Sequence, residues 1–245
     1  MSMNPGYPQP NQRPNMQRVA QPNPYGGQHL PPQRMPQQAP VKTSGNVGAG
    51  FLYAFGYLVV IWSVHLVNVF VFRGTLTYFG VHPLDLSSIW HIFTAPLIHG
   101  SSAHIAANSI PGAIFCFLIG LSGHRAYWEV TGIVCVVSGL GTWLVGGIGT
   151  SHIGASGLIY GWLAYLVVRG IFNRSAGQVV LGIVLAFAYS GLIWGVLPTD
   201  EGVSWQAHLF GAIGGFIAGA TITSDDPPAL QAKRAREAQM RQARR

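Results

Sequence analysis

Three short polar clusters interrupt the apolar runs of this sequence, and their residue types suit nucleophilic catalysis. The clusters are His99–Asn108, Gly154–Tyr160 and Ala207–Gly215. A serine hydroxyl is a weak nucleophile until a base takes its proton, and neutral histidine suits that task near pH 7. We therefore interpret Ser156 as a candidate nucleophile and His208 as its general base.

Acyl transfer also needs hydrogen-bond donors directed at the oxygen that becomes negative during attack. His104 and Asn108 are four residues apart, so they share one face of a helix, and the backbone N–H of Ser156 is a third donor. No Asp or Glu lies in the interior of an apolar run, so the pair would act as a dyad whose imidazole is oriented by burial and by rings such as Tyr160. We assign His99 a structural role, joining the loop before the helix to the helix start.

Small residues accompany both members of the pair. Gly211 lies three residues after His208, and Gly215 follows four residues later. This spacing removes side chains from one stripe of a helix and allows another backbone to approach closely. If the partner is the helix that carries Ser156 and Gly157, a hydroxyl–imidazole hydrogen bond of about 2.6–3.2 Å becomes sterically possible.

The elements that must position these residues are membrane helices. The chain has 245 residues, of which 49% are AVILMFWYC and only 9% are DEKR, whereas soluble domains contain about 25% charged residues. Six apolar runs approach or exceed the ~20 residues that cross a bilayer, which predicts an all-α membrane protein built as a six-transmembrane-helix bundle. The runs are Phe51–Phe72, Ser101–Ser122, Tyr127–Val145, Gly154–Phe172, Gln178–Leu197 and Trp205–Thr223. The three clusters begin the second, fourth and sixth runs, so they lie at one depth.

The distribution of basic residues predicts the orientation. With the N-terminus inside, 13 of the 14 Lys and Arg lie on the inner side and only Arg73 lies outside. The positive-inside rule therefore predicts a multi-pass protein of the cell membrane with both termini in the cytoplasm and the polar clusters near the outer face. The bilayer accounts for the net charge of +7 without a nucleic-acid partner. We interpret Glu129 and Arg169, near the ends of their runs, as side chains that reach the interface, and His152 as a packing or interface residue.

The composition divides the chain into three segments. The first 40 residues hold 10 of the 16 prolines, so residues 1–49 are predicted to form a disordered cytoplasmic tail. Residues 50–224 form the membrane domain. Residues 225–245 form a basic cytoplasmic tail, which suits either anionic lipid or a solvated topology anchor. The two cysteines have no metal-ligand spacing, and we interpret them as packing residues.

Taken together, the three clusters resemble the motifs of the rhomboid family of intramembrane serine proteases. The matching motifs are His99-x4-His104-x3-Asn108, Gly154-Ala-Ser156-Gly157, and His208 followed by Gly211 and Gly215. The resemblance implies a six-helix bundle with a site open to water from the outer side, in which Tyr160 stacks beside His208. It also implies that His104, Asn108 and the Ser156 amide form the oxyanion hole. The implied reaction, which needs no metal or cofactor, is hydrolysis of a peptide bond in or next to a transmembrane segment of a protein substrate, through an acyl-enzyme.

The sequence departs from the family in two places. Trp90 is followed by His91 where family members often carry Trp-Arg, and the stretch Phe117–Gly123 lacks a glutamate that they tend to have. Both features support the fold in the family. The departures therefore bear on loop packing and stability more than on the chemistry.

Three other functions fit part of the pattern. A transporter or channel lined by the same residues is disfavoured because the polar residues occupy one leaflet, so the path would end blind. A metal-dependent protease using His99, His104 and His208 would lack both the HExxH motif and an acidic ligand. A catalytically silent binder of membrane helices would be indicated by loss of the Ser or the His, and both are present.

Overall fold

The computed structural model describes residues 46–198 and 202–243. The predicted N-terminal tail lies outside the described residues except for its last four positions, of which residues 47–49 belong to the first helix. The first helix already begins at Val47, because the Asn46 side chain accepts a hydrogen bond from the Ala49 N–H and caps it. The last two residues of the basic C-terminal tail also lie outside the described part.

The described chain is all-α, as predicted. Short 3-10 segments connect some of the seven α-helices, and an isolated bridge joins Val81 to His152. The helices are α1 (Val47–Phe70), α2 (Ser102–Gly120), α3 (His124–Val145), α4 (Ser156–Asn173), α5 (Ala176–Ala188), α6 (Trp205–Thr221) and α7 (Pro228–Ala243).

Helices α1 to α6 occupy the six predicted runs. Three of them, α1, α2 and α3, are long and apolar enough to cross a membrane, and α5 with the segment after it makes a fourth candidate if the bent pair is one span. Helices α4 and α6 are shorter, at 18 and 17 residues. They pack against each other and against α3, so they need less apolar surface than helices that face lipid on most sides.

The fifth run is not one continuous helix, which corrects the predicted span Gln178–Leu197. Helix α5 ends at Ala188, and the chain bends by 68° into a 3-10 helix, Ser190–Val196. The break falls at the pair Ser190 and Gly191, a combination at which helices commonly kink. The bend brings the backbone of Gly195 to the imidazole of His208.

Glycines set the distance between α4 and α6. A Cβ added at Gly211 would overlap the carbonyl oxygen of Gly157, and one added at Gly215 would overlap that of Gly161. Neither neighbour is a side chain that could rotate away. The two helices can therefore approach this closely only while both positions are glycine.

The variant Gly215→Ala is expected to separate α4 from α6. Overpacking of this kind costs about 1–3 kcal/mol, and a shift of about 1 Å between reacting groups lowers activity about 100-fold. The measurements are the thermal unfolding midpoint in detergent and the rate at which a fluorophosphonate labels Ser156. Gly132→Ala on α3 is the control, because nothing lies within 4 Å of an added Cβ there. Equal effects of the two substitutions would contradict the packing argument.

Arg169 does not reach the interface as predicted. Its side chain is 2% exposed, and its guanidinium pairs with Asp225 and Asp226 and donates to the Gly219 carbonyl at 2.8 Å. The interpretation failed because the partners follow α6, far away in sequence. Arg234 of α7 lies 3.0 Å from Asp226, so this ion-pair cluster joins α4, the chain after α6 and α7. Glu129, by contrast, has a side chain that is 31% exposed.

The long connection between α1 and α2 is held by bonds that do not require the family's arginine. The His91 ring donates through Nδ1 to the Gly80 carbonyl at 2.8 Å, and Thr94 Oγ1 donates to Phe79 O at 2.9 Å. Trp143 of α3 donates to the Asp85 carbonyl at 2.9 Å. The loop is thus tied both to itself and to the bundle.

The stretch that lacks the family's glutamate is held by close backbone packing. At the end of α2, an added Cβ at Gly120 would lie 2.8 Å from the Cα of Gly50 in α1. The backbone N–H of Asn46 donates to the Leu121 carbonyl at 2.9 Å. Close backbone contact and this hydrogen bond hold the start of α1 against the end of α2.

Candidate active site

A cavity of about 600 Å³ lies at the N-terminal ends of α2, α4 and α6. Each of these helices contributes polar side chains to its wall, as their common depth in the sequence predicted. The lining includes His104, Asn108, Ser156, Tyr160 and His208. The structure therefore brings together, in one wall, residues that lie up to 104 positions apart in the sequence.

Ser156 and His208 are in direct contact. The Oγ of Ser156 lies 2.8 Å from Nε2 of His208, within the range expected from the glycine stripe. The other ring nitrogen, Nδ1, lies 2.8 Å from the carbonyl oxygen of Gly195. A carbonyl can only accept, so Nδ1 carries a proton and Nε2 of the neutral ring accepts from the serine hydroxyl. This is the tautomer that a general base requires.

The carbonyl of Gly195 occupies the place that a carboxylate takes in a three-residue catalytic array. Sequence reasoning did not find it, because a backbone carbonyl has no side-chain signature. It reaches His208 only because the chain bends after α5. The ring is 7% exposed, so this bond and the packing around it fix the imidazole.

Tyr160 covers one face of the imidazole. It lies one helical turn after Ser156, and its ring is stacked on that of His208 with centroids 4.0 Å apart and an angle of 7° between the planes. Stacking leaves the ring little freedom to rotate about its Cβ–Cγ bond. The arrangement is the one that the family resemblance implied.

Gly154 shapes the entry to α4. Its φ is +111°, a conformation that side chains disfavour, and an added Cβ would lie 2.5 Å from Cε1 of His104. The turn places Ser156 at the first position of α4. Backbone N–H groups in the first turn of a helix have no partner within the helix, so the Ser156 amide is a donor at the cavity wall.

His99 joins three elements. Its Nε2 lies 3.1 Å from Nδ2 of Asn108 in α2 and accepts from the backbone N–H of Ala155, just before α4, at 3.4 Å. Both groups at Nε2 are N–H donors, so Nε2 is the acceptor of the ring, and burial lowers the pKa of His99, which precedes α2, to about 4, so the ring is neutral. One amide hydrogen of Asn108 is thereby used for orientation, and the second is left for the cavity. The structural role assigned to His99 extends from the start of α2 to the start of α4.

His152 at the cavity wall was not recognised as part of the site, and a bond from Ser138 holds the start of α6 from behind. His152 lines the cavity, and its Nδ1 lies 2.7 Å from the hydroxyl of Ser204, the residue before α6. Ser138 of α3 donates to the Ala207 carbonyl at 2.9 Å. The position of His152, two residues before Gly154, was the available signal. In the part of the chain that the structure describes, no three His, Cys, Asp or Glu side chains are grouped to hold a metal ion.

Comparison with known proteins places the chain in a family. The sequence profile described as "Rhomboid domain" matches residues 86–225, more than half of the chain. An uncharacterized protein of Mycobacterium tuberculosis (strain ATCC 25618 / H37Rv) is 42% identical over 164 residues, which are 64% of this chain and 68% of the relative. One of Mycobacterium leprae (strain TN) is 38% identical over 178 residues, covering 69% and 70%.

A more distant relative carries an activity in its name. The Bacillus subtilis (strain 168) protein named "Putative rhomboid protease YdcA" is 25% identical over 165 residues, covering 64% of this chain and 80% of the relative. The profile match includes all three polar clusters. The helical bundle and its apolar helices are consistent with this match. The chain is therefore a multi-pass membrane protein that belongs to the rhomboid family of intramembrane proteases.

Proposed function

We propose that this chain is a serine endopeptidase that hydrolyses peptide bonds in or next to transmembrane segments of other membrane proteins. The observation that carries the proposal is the 2.8 Å contact between the Ser156 hydroxyl and Nε2 of a His208 ring whose tautomer is set by the Gly195 carbonyl. A serine that only packs helices together has no need of an oriented base. The contact also lies in the wall of a cavity large enough to admit a peptide backbone.

The geometry supports the following sequence of steps. Ser156 Oγ attacks the scissile carbonyl carbon while its proton passes to Nε2 of His208. The resulting imidazolium is stabilised through its Nδ1–H bond to the Gly195 carbonyl. The tetrahedral intermediate collapses when Nε2 returns the proton to the leaving amine, which leaves an acyl-enzyme on Ser156. Water, deprotonated by the same nitrogen, then releases the acid product and restores the hydroxyl.

We assign the oxyanion hole to His104, the free amide hydrogen of Asn108 and the backbone N–H of Ser156. The three donors come from two helices joined through His99 and Gly154. Charge on the oxygen appears only during the reaction, so donors held in place beforehand lower the barrier without reorganising. His99 is a positioning residue in this scheme, since it contacts Asn108 and not the substrate.

The variant Asn108→Ala is expected to lower kcat by about 10²–10³, the usual cost of one lost oxyanion donor. His99→Ala should lower kcat in the same direction while KM changes little, because it frees the Asn108 amide to rotate and removes the acceptor of the Ala155 N–H just before Ser156. Steady-state kinetics on a detergent-solubilised transmembrane substrate measure both. Ser109→Ala, one position along α2 with its hydroxyl bonded to the Ile105 carbonyl, is the control. A change in KM with kcat unchanged in Asn108→Ala would contradict the assignment.

We further propose that both termini lie in the cytoplasm and that the cavity opens to the extracytoplasmic side. Arg125, Arg174 and Lys233 lie at the end of the bundle opposite to Ser156, and basic residues favour the cytoplasmic side. Arg73 follows α1 at the same end as the cavity. Substrates would then be single-span or multi-span proteins whose segments enter the cavity from the outer leaflet.

The function is tested by co-expressing the protein with single-span membrane proteins that carry a tagged outer domain. We expect the outer domain to be released into the medium or periplasm, and the purified protein to react with a fluorophosphonate. Peptide mapping should locate the adduct on Ser156. Absence of both release and labelling in well-folded protein would overturn the proposal, as would an adduct on any other residue.

A further inference from the structure

A second cavity lies at the other end of the bundle from Ser156. It has a volume of about 410 Å³ and is lined by Asn173 at the end of α4, by Arg174 and Ser175 of the turn between α4 and α5, and by Leu230 and Lys233 of α7. We call it the basic cavity. Helix α4 runs from Ser156 to Asn173, and 17 steps of 1.5 Å place the two cavities about 26 Å apart along its axis. That distance is close to the thickness of the hydrocarbon core, so the basic cavity lies at headgroup level.

The two cations of the basic cavity have little compensation from acidic side chains. The acidic residues nearest along the chain are Asp225 and Asp226. Both form ion pairs with Arg169, and Asp226 also pairs with Arg234. Arg174 forms no ion pair within residues 46–198 and 202–243. Lys233 is near one carboxylate, that of Glu237, at 3.8 Å on the exposed side of α7. Of the two cations that line the cavity, Arg174 therefore has no anionic partner among these residues, and Lys233 has one long, exposed contact.

The wall also contains a buried acceptor without a donor. Asn173 is 2% exposed, and its Nδ2 donates to Gln178 Oε1 at 2.9 Å. Its Oδ1 is buried and has no hydrogen-bond partner among the described residues. A buried polar atom without a partner is costly. A rotation of the Asn173 side chain toward the cavity would bring Oδ1 to a ligand hydroxyl, which would supply the donor.

The elements that form the basic cavity are held in fixed positions. The ion-pair cluster of Arg169 anchors the chain before α7, and Gln231 of α7 donates to the Asp226 carbonyl at 2.9 Å. Ser175 caps α5 by accepting from the Gln178 N–H at 3.4 Å. The N-terminus of α5 adds a partial positive charge to the two cations. The site thus exists before any ligand arrives.

We infer that the basic cavity binds the headgroup of an anionic phospholipid of the phosphatidylglycerol type. Arg174 and Lys233 would hold the phosphate, and a headgroup hydroxyl would donate to Asn173 Oδ1. Basic pockets between helices at the membrane surface are suited to such headgroups. The acyl chains would lie along the lipid-facing sides of α4 and α5, whose outer side chains include Ile171 and Val180. This site is separate from the proposed catalytic one.

The inference is tested with the full chain in dodecylmaltoside micelles, titrated with phosphatidylglycerol that carries a fluorescent acyl chain. Arg174→Gln and Lys233→Gln should each weaken binding about fivefold, since one basic residue near a lipid surface contributes about 1 kcal/mol. Lys233 is exposed, so its variant is informative even if the other fails to fold. Arg236→Gln, an equal change of charge on the same helix outside the cavity, should weaken binding less than about twofold.

Three results would overturn the inference. The first is an Arg236→Gln effect as large as that of Lys233→Gln, which would indicate diffuse attraction and no site. The second is equal binding of fluorescent phosphatidylcholine. The third is displacement of the labelled lipid by inorganic phosphate, which would reassign the cavity to a soluble anion. Binding that favours phosphatidylglycerol and resists phosphate, with a loss specific to the cavity residues, would support it.

Discussion

Replacing Ser156 with alanine is expected to abolish both fluorophosphonate labelling and release of the outer domain of a substrate. The substitution removes the oxygen proposed to attack the substrate, and losses on the order of 10⁴–10⁶ in rate accompany removal of a serine nucleophile in other hydrolases. The fold should survive, because the Ser156 hydroxyl makes one hydrogen bond, to His208, and lines a cavity rather than the packed core. Labelling, cleavage and elution as a single detergent-solubilised species measure the three expectations.

His208→Ala should be equally inactive, because members of a catalytic pair act as a unit and their losses do not add. The double variant is therefore expected to be no slower than either single one. Ser109→Ala is the matched control for loss of a serine hydroxyl in a helix, since Ser109 Oγ donates to a backbone carbonyl on α2. Cleavage that persists in Ser156→Ala would show that a different group attacks the substrate, and the dyad would be rejected.

The sequence predicted the helices that carry the site, and the reason is physical. Polar side chains at membrane depth are costly, so the clusters around Asn108, Ser156 and His208 were visible against apolar surroundings. The glycines at 211 and 215 indicated the face on which α6 approaches α4. Side-chain type and spacing therefore sufficed to predict the hydrogen bond between Ser156 and His208.

The backbone contribution to the site could not be predicted in this way. Residues 178–197 are apolar throughout, and hydropathy does not distinguish a straight helix from one that breaks at Ser190. The break leaves the Gly195 carbonyl free to accept from His208. The orienting partner of the base was therefore missed, although the need for one was recognised.

Arg169 was misinterpreted for a different reason. Near the end of an apolar run, an arginine usually extends to the interface. However, α4 and α6 run in the same direction, so their C-terminal ends lie together, and Asp225 and Asp226 follow α6 directly. Topology alone could have suggested the pairing, and the cost of burying an unpaired guanidinium makes it necessary.

Replacing Arg169 with methionine is expected to destabilise the protein more than any change at the active site. Methionine fills much of the volume but leaves Asp225 and Asp226, whose side chains are at most 3% exposed, without their common partner. Removing one partner of a buried ion pair costs about 3–5 kcal/mol. The midpoint of thermal unfolding in detergent should then fall by about 6–20 °C. The Tyr165 side chain should also become less ordered, because its hydroxyl donates to the Asp225 carboxylate that Arg169 holds in place.

Two further variants separate buried charge from lost volume. Arg125→Gln breaks an ion pair in which the arginine side chain is 81% exposed, and such a pair on a helix surface contributes about 0.3–0.5 kcal/mol, so the midpoint should move by less than about 2 °C. Adding Asp225→Asn and Asp226→Asn to Arg169→Met removes the uncompensated charges, and stability should recover by more than half. A triple variant as unstable as Arg169→Met would mean that packing, and not charge, holds α4, the chain after α6 and α7 together.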